Sequence, residues 1–167
     1  MEHRTIWKLF FVWDFEKEED WLNEMAAQGW ALCRVGLCRY EFEPCEPDSY
    51  VIRMEMRSPD EDYIRFMTET GAEYIGRVVQ WIYFRKEVSY GPFDLFSDID
   101  SRIDHLKRIS RMLLAIALIN LSLGILNSQG YSRLGWINLL VASLLTYALG
   151  RMHGKTEALE KERQLRE

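Results

Sequence analysis

The chain has 167 residues, 48% of them hydrophobic, with 21 Lys and Arg against 26 Asp and Glu for a formal net charge of −5. The charge is divided unevenly: residues 1–100 hold 11 basic and 21 acidic side chains, a net of −10, and residues 101–167 hold 10 and 5, a net of +5. So acidic a front half is repelled by phosphate backbones, which speaks against direct DNA or RNA binding there, and about 100 residues suffice for one small domain with its own core.

In chain order, the run IWKLFFVW between Thr5 and Asp14 is β-branched and aromatic on both faces, which predicts a central strand. Asp14, Glu16, Glu18, Glu19 and Asp20 then suit the positive end of a helix dipole. Trp21, Leu22, Met25 and Ala26 share one face of that helix, and Gly29 stops it. Trp30 to Glu43 reads as a second strand with a bulge or bend at Gly36, followed by the turn Pro44-Cys45-Glu46-Pro47-Asp48. Tyr50, Ile52, Met54 and Met56 alternate with Val51, Arg53, Glu55 and Arg57, the clearest half-buried strand in the chain. Ser58-Pro59-Asp60-Glu61 starts a second helix whose apolar face is Tyr63, Phe66 and Met67 and whose stop is Gly71. Glu73 to Lys86 reads as one last long strand.

That order, βαββαβ over residues 1–90, predicts an α+β domain of ferredoxin-like arrangement, with one four-stranded antiparallel sheet and both helices on one face. The other face then lies open, presenting Arg53, Glu55 and Arg57 as candidate partner-binding residues. Such a face needs cover from a second copy, the following helix, a partner protein or an apolar ligand.

After the break at Gly91-Pro92, Phe96, Ile99, Ile103 and Leu106 step by three and four, predicting a juxtamembrane helix over 94–111. The stripe suits a coiled-coil seam or packing within the chain. Residues 112–150 hold two apolar runs with a short polar loop between them containing Asn127, Ser128, Gln129, Gly130 and Arg133. Neither run contains a charged residue, and apolar side chains occupy every side of each helix, so we expect a two-helix transmembrane hairpin. Arg102, Lys107, Arg108 and Arg111 precede it and Arg151 and Lys155 follow it, so both termini are expected in the cytoplasm. Asn120, Ser122, Asn138, Ser143 and Thr146 are expected to hydrogen-bond between the helices. With no ionisable residue at mid-membrane, nothing points to a transporter. Residues 151–167 form a charged cytoplasmic tail, with Glu157–Lys161 and Glu162–Arg166 at helical i,i+4 spacing.

Little in the sequence carries chemistry. Cys33, Cys38 and Cys45 form no CxxC pair and have no histidine at zinc-site spacing. His3, His105 and His153 stand beside no nucleophile, and the common phosphate-loop, dinucleotide, metalloprotease and serine-hydrolase motifs are absent. We therefore expect no enzyme activity, no metal and no cofactor. The N-terminus turns acidic before an apolar signal region forms, so no cleavable signal peptide is expected.

The run WDFEKEEDWLNEMAAQGWAL, from Trp13 to Leu32, resembles the opening signature of the DUF2812 family of bacterial membrane proteins of unknown function. Glu18, Glu19, Trp21, Leu22, Asn23, Glu24, Met25, Ala26, Gly29 and Trp30 carry the resemblance, and YVIRMEM and the apolar C-terminal hairpin fit it. Members are typically from Firmicutes and often encoded beside PadR-like transcriptional regulators, so the resemblance implies a regulatory setting at the bacterial cell membrane. It brings no catalytic residue. The expected function is a membrane-anchored cytoplasmic interaction or regulatory module, acting with a partner protein or a second copy of itself. The alternative is a sensor holding a lipid or amphiphile between hairpin and domain.

Overall fold

A computed structural model describes residues 3–58, 60–128 and 134–166, the side chain of Leu134 apart. Two compact units divide the chain, Met1–Leu95 and Phe96–Glu167.

The front unit is α+β and runs β1 (Arg4–Trp7), α1 (Phe15–Ala27), β2 (Trp30–Gly36), β3 (Arg39–Pro44), β4 (Tyr50–Met56), α2 (Glu61–Glu69), β5 (Glu73–Val78) and β6 (Trp81–Glu87). Its strands form two antiparallel three-stranded sheets, β1-β3-β2 and β4-β6-β5. This replaces the single ferredoxin-like sheet. Both long stretches expected as single strands, 30–43 and 73–86, are hairpins. Their two-residue turns, Leu37-Cys38 and Val79-Gln80, lack the Gly, Asn and Asp that normally announce such a turn. The left-handed backbone falls instead on Cys38 (φ 55°) and Val79 (φ 56°). The first strand is also shorter than expected, and it is a sheet edge rather than a centre. Phe10 and Trp13 leave the ladder to pack, Phe10 against Trp21 (5.5 Å between ring centroids) and Tyr40 (6.3 Å).

The front unit is a βαββ motif used twice. Adding 42 to each residue number turns the β2–β3 pairs Leu32–Phe42, Arg34–Glu41 and Val35–Tyr40 into the β5–β6 pairs Tyr74–Phe84, Gly76–Tyr83 and Arg77–Ile82. The register shift recurs at the same place, skipping Cys33 in one hairpin and Ile75 in the other. Each helix ends on a glycine in the left-handed region, Gly29 (φ 86°) and Gly71 (φ 87°), also 42 apart. In each half the helix covers the even-numbered face of its own hairpin: Trp21 of α1 meets Tyr40 and Phe42, and Tyr63 of α2 meets Phe84. The second half gathers a core of Met67, Ala72, Ile82, Phe84 and Phe93.

α2 starts two residues later than expected. Asp60, not Ser58, caps it, accepting from the Asp62 backbone N–H at 3.1 Å. Pro59 lies outside the described residues.

The rear unit pairs two long helices, α3 (Ile99–Ser128) and α4 (Leu134–Arg166). They run antiparallel, with Arg163 bonded to Asp100 (2.8 Å) and Lys107 to Glu160 (3.0 Å) at one end. At the other end, a Cβ on Gly124 would stand 2.7 Å from Leu139 Cδ2. Ile103, Leu106, Ile109, Leu113 and Ala117 of α3 are buried, as are Ala142, Ala148 and Met152 of α4. The apolar stripe through Ile103 and Leu106 thus packs within the chain. Asn120, Ser122, Ser143 and Thr146 each bond the carbonyl four residues back in their own helix, at 2.9 Å, rather than the other helix. A short polar side chain reaches that carbonyl without the helices having to align. Among the described residues one helix, Ile99–Ser128, is long and apolar enough to cross a membrane. The expected loop residues Gln129, Gly130 and Arg133 lie outside the described residues.

Candidate functional site

The front unit buries three charged side chains, Glu18, Glu55 and Arg85, and the first of them lies on α1. Phe15, Glu18, Leu22, Met25 and Ala26 are all buried on that helix, so a carboxylate occupies a position in an otherwise apolar stripe. Glu18 Oε1 accepts hydrogen bonds from the Tyr40 hydroxyl of the first sheet (2.8 Å) and the Tyr83 hydroxyl of the second (2.6 Å). Burial pushes the Glu18 carboxyl above its ordinary range, and the Tyr83 and Tyr40 bonds pull it only part of the way back. Burial likewise drives both tyrosine hydroxyls upward, and the neighbouring Glu18 adds to it.

One turn along, α1 meets the outer edge of β4. Asn23 Oδ1 accepts from the Ile52 N–H (2.9 Å) and Asn23 Nδ2 donates to the Ile52 carbonyl (3.0 Å). Glu19 Oε2 accepts from the Met54 N–H at 3.0 Å, and Glu19 Oε1 pairs with Arg53 at 3.3 Å. The helix therefore satisfies an edge strand whose backbone groups would otherwise be unpaired. Burial lifts Glu19 to about 7 against the opposing pull of Arg53 and the Met54 N–H.

A third cluster centres on Arg85, which is buried. Its Nε and Nη2 donate to both oxygens of Glu73 (2.7 and 3.1 Å), while Nη1 donates to Glu43 (2.7 Å) and to the Leu32 carbonyl (3.0 Å). Burial alone would lower the Arg85 pKa, but the bonds to Glu73 and Glu43 outweigh it and the group is held cationic. Glu43 and Arg85 occupy equivalent positions of the two halves, so the repeat is pinned to itself by an ion pair.

Arg53, Glu55 and Arg57 share a face of β4, but that face is not open. Glu55 is 4% exposed and accepts from the Tyr63 hydroxyl of α2 at 2.9 Å. The Arg57 guanidinium lies over the Tyr63 ring, 3.8 Å from its centroid, and 3.7 Å from Glu55. Arg53 turns back to Glu19. The two arginines stay partly exposed at the rim, and the carboxylate between them is covered.

Reactive chemistry is sparse. Among the described residues no group of three His, Cys, Asp or Glu side chains is placed to hold a metal ion. Cys33 Sγ donates to the Glu41 carbonyl (3.3 Å) and lies 3.9 Å from His3 Nδ1. Burial, then Glu43, drives its pKa up, toward the thiol and away from a nucleophilic thiolate. In the sequence Glu18 and Glu19 read as part of a helix start, and Asn23 stands only among the residues that carry the family resemblance. The missed signal is Glu18 sitting three residues after Phe15 and four before Leu22.

The model of a family described as "Protein of unknown function (DUF2812)" matches residues 14–118, well over half of the chain. Neither a curated protein nor a solved structure matches it.

Proposed function

We propose that this chain, which belongs to the DUF2812 family, is a membrane-anchored cytoplasmic interaction module with two transmembrane helices and both termini in the cytoplasm. One observation carries the reading. Leu114, Leu118, Ile119, Leu121, Ile125 and Leu126 of α3 are exposed, as are Trp136, Ile137, Leu140, Leu144 and Tyr147 of α4. No charged residue stands among the described residues 112–128 and 134–150. A helix pair that turns its large aliphatic side chains outward is built for a hydrocarbon solvent, where the pair is held by close packing at small residues such as Gly124 and Ala117. The basic residues on both sides of the pair set the orientation.

The acidic front unit is the part that meets a partner. Its polar groups are occupied in holding its own two sheets, so the proposed activity is recognition rather than turnover. The partner is a second copy or a soluble protein, and the family resemblance implies a PadR-like transcriptional regulator. Arg57 and Arg53, at the rim of the second sheet, are the proposed contact residues on that unit. Glu55 lies 3.7 Å from Arg57, and Glu19 pairs with Arg53.

Crosslinking and affinity purification of the full-length protein from its own membranes, with intact mass of the complex, tests this. A stoichiometric second protein or second copy lost on Arg57→Glu supports the module, while a chain recovered alone overturns it. Topology is read separately. Fusions of alkaline phosphatase and GFP at the C-terminus and within residues 129–133 are expected to give fluorescence at the former and phosphatase activity at the latter. The reverse pattern overturns the orientation.

A further inference from the structure

The first sheet ends in an apolar tip that the core does not use. Trp7, Leu9 and Leu37 are 71%, 65% and 74% exposed. Trp7 pairs with Arg39 across β1 and β3, and the Lys8 N–H donates to the Cys38 carbonyl at 3.0 Å. That register brings Leu9 abreast of Leu37 at the hairpin turn. Phe11, also exposed, extends the patch toward α1 and stacks flat on Trp13, 4.6 Å between ring centroids. Phe10 turns the other way, onto Trp21 and Tyr40. Large apolar side chains clustered in water and rimmed by charge mark a contact surface.

The rim of the tip has the opposite sign to the unit that carries it. Residues 3–13 and 34–39 hold four basic side chains and no acidic one, within residues 1–100 whose net is −10. Tyr40 and Phe42 face Trp21 of α1, so Trp7, Arg39 and Arg34 stand on the face that α1 leaves uncovered, together with Glu41. Arg39 takes the Glu41 carboxylate at 2.7 Å and Arg34 lies 4.0 Å from it, so two cations share one anion. Lys8 adds a further charge toward α1, its ammonium lying over the Phe10 and Trp21 rings at 4.8 and 4.3 Å.

Those charges decide among occupants. A second copy docked tip to tip about a two-fold axis brings Lys8, Arg34 and Arg39 against their own counterparts, which repel. An anionic bilayer attracts the same three residues and repels the remaining acidic surface, so it selects this pole of the unit. Tryptophan is favoured at the headgroup boundary, and leucine and phenylalanine just beneath it. We infer that the tip of the first sheet docks on an anionic lipid surface, with Trp7, Leu9 and Leu37 entering it and Lys8, Arg34 and Arg39 at the headgroups. The inference rests on the membrane reading above, which gives the same chain a cytoplasmic leaflet to dock on.

The test places full-length protein in phosphatidylcholine nanodiscs with and without phosphatidylglycerol, each doped with a phosphatidylcholine carrying a diazirine in its acyl chain. After photolysis, labelled peptides are mapped by mass spectrometry, and label on α3 within residues 113–126 serves as the internal standard. Wild type in the phosphatidylglycerol discs is expected to carry label within residues 7–11 and at Leu37, and about fivefold less without phosphatidylglycerol. Trp7→Ser with Leu9→Ser and Leu37→Ser is expected to lower that label about tenfold. Leu37→Glu alone, at the exposed turn, gives a second reading in the same direction if the triple variant does not fold. Lys8→Gln with Arg34→Gln, which leaves Arg39 on Glu41, is expected to shrink the difference between the two disc types. Label on α3 with none at the tip overturns this inference alone, and label on neither overturns the membrane reading with it. Equal tip labelling in both disc types, or labelling unchanged in every variant, also overturns it. An unlabelled tip in discs whose intact mass holds two chains overturns it in favour of a second copy.

Discussion

The two halves of the front unit share a backbone plan and divide the work unequally. β2–β3 and β5–β6 have the same register and the same bulge, and the helices end on equivalent glycines. Yet α1 has 13 residues and α2 has nine. At equivalent positions, Leu22 has no exposed surface while Ile64 is only partly buried. Asn23 clamps the edge of β4, whereas its counterpart Arg65 is exposed and pairs with nearby Asp62. Glu18 bonds a tyrosine of each sheet, whereas its counterpart Asp60 is merely the cap of a shorter helix. A repeated scaffold therefore does not imply repeated roles. The first helix joins both sheets, and the second serves only its own.

Breaking the shared helix should consequently damage more than breaking the local one. Leu22→Ala is expected to destabilise the protein by about 3 kcal/mol and Ile64→Ala by about 1 kcal/mol. Urea unfolding of the full-length protein in neutral detergent measures both. Hydrogen exchange sharpens the contrast: Leu22→Ala should raise exchange in β3 and β6 alike, and Ile64→Ala in β6 only. Equal effects would place the two helices on the same footing.

The carboxylates of α1 give the next effect. Glu19 titrates near 7 in the folded protein against an ordinary 4.5, so the folded state holds its proton across that interval while the unfolded state releases it. The stability this group contributes is complete below about pH 4.5 and lost as pH rises through about 7. Glu18, also raised, adds to the slope in the same direction. The loss is on the order of 2 kcal/mol, and Glu19→Gln should flatten the profile of melting temperature against pH.

Asn23→Ala leaves the Ile52 N–H and carbonyl at the β4 edge without their partner and is expected to cost about 1–2 kcal/mol, whereas Arg65→Ala should be within about 0.5 kcal/mol of wild type. Smallest is the turn of the second hairpin. Val79 is β-branched, holds φ at 56° and is 76% exposed, so Val79→Asn relieves strain with little packing lost. It is expected to stabilise by about 1 kcal/mol, raising the urea midpoint without changing the slope.

Some of the site was within reach of a reading along the chain. A carboxylate three residues from Phe15 and four from Leu22 sits on the buried stripe whatever the fold. What it bonds was not readable, because Tyr40 and Tyr83 lie 22 and 65 residues away on different sheets. Arg53, Glu55 and Arg57 illustrate the opposite error. Alternation placed them correctly on one face of β4, but whether a helix covers that face depends on where α2 lands.

Local sequence was sufficient for α1 with its glycine stop, for β4 with its strict alternation, for the α+β class, and for a long apolar helix in the second unit. Each of these depends on residues within a turn or two of one another, through periodicity, helix termination or hydropathy. The tertiary structure alone decided that 30–44 and 73–87 fold back as hairpins. Their turns, Leu37-Cys38 and Val79-Gln80, take left-handed backbone on residues that do not favour it, and only the paired strands on either side hold them there. It also decided that there are two sheets instead of one, and that they repeat each other at 42 residues. Strand pairing is a contact between distant segments, and a repeat of register that preserves geometry without preserving side chains leaves no mark on the sequence.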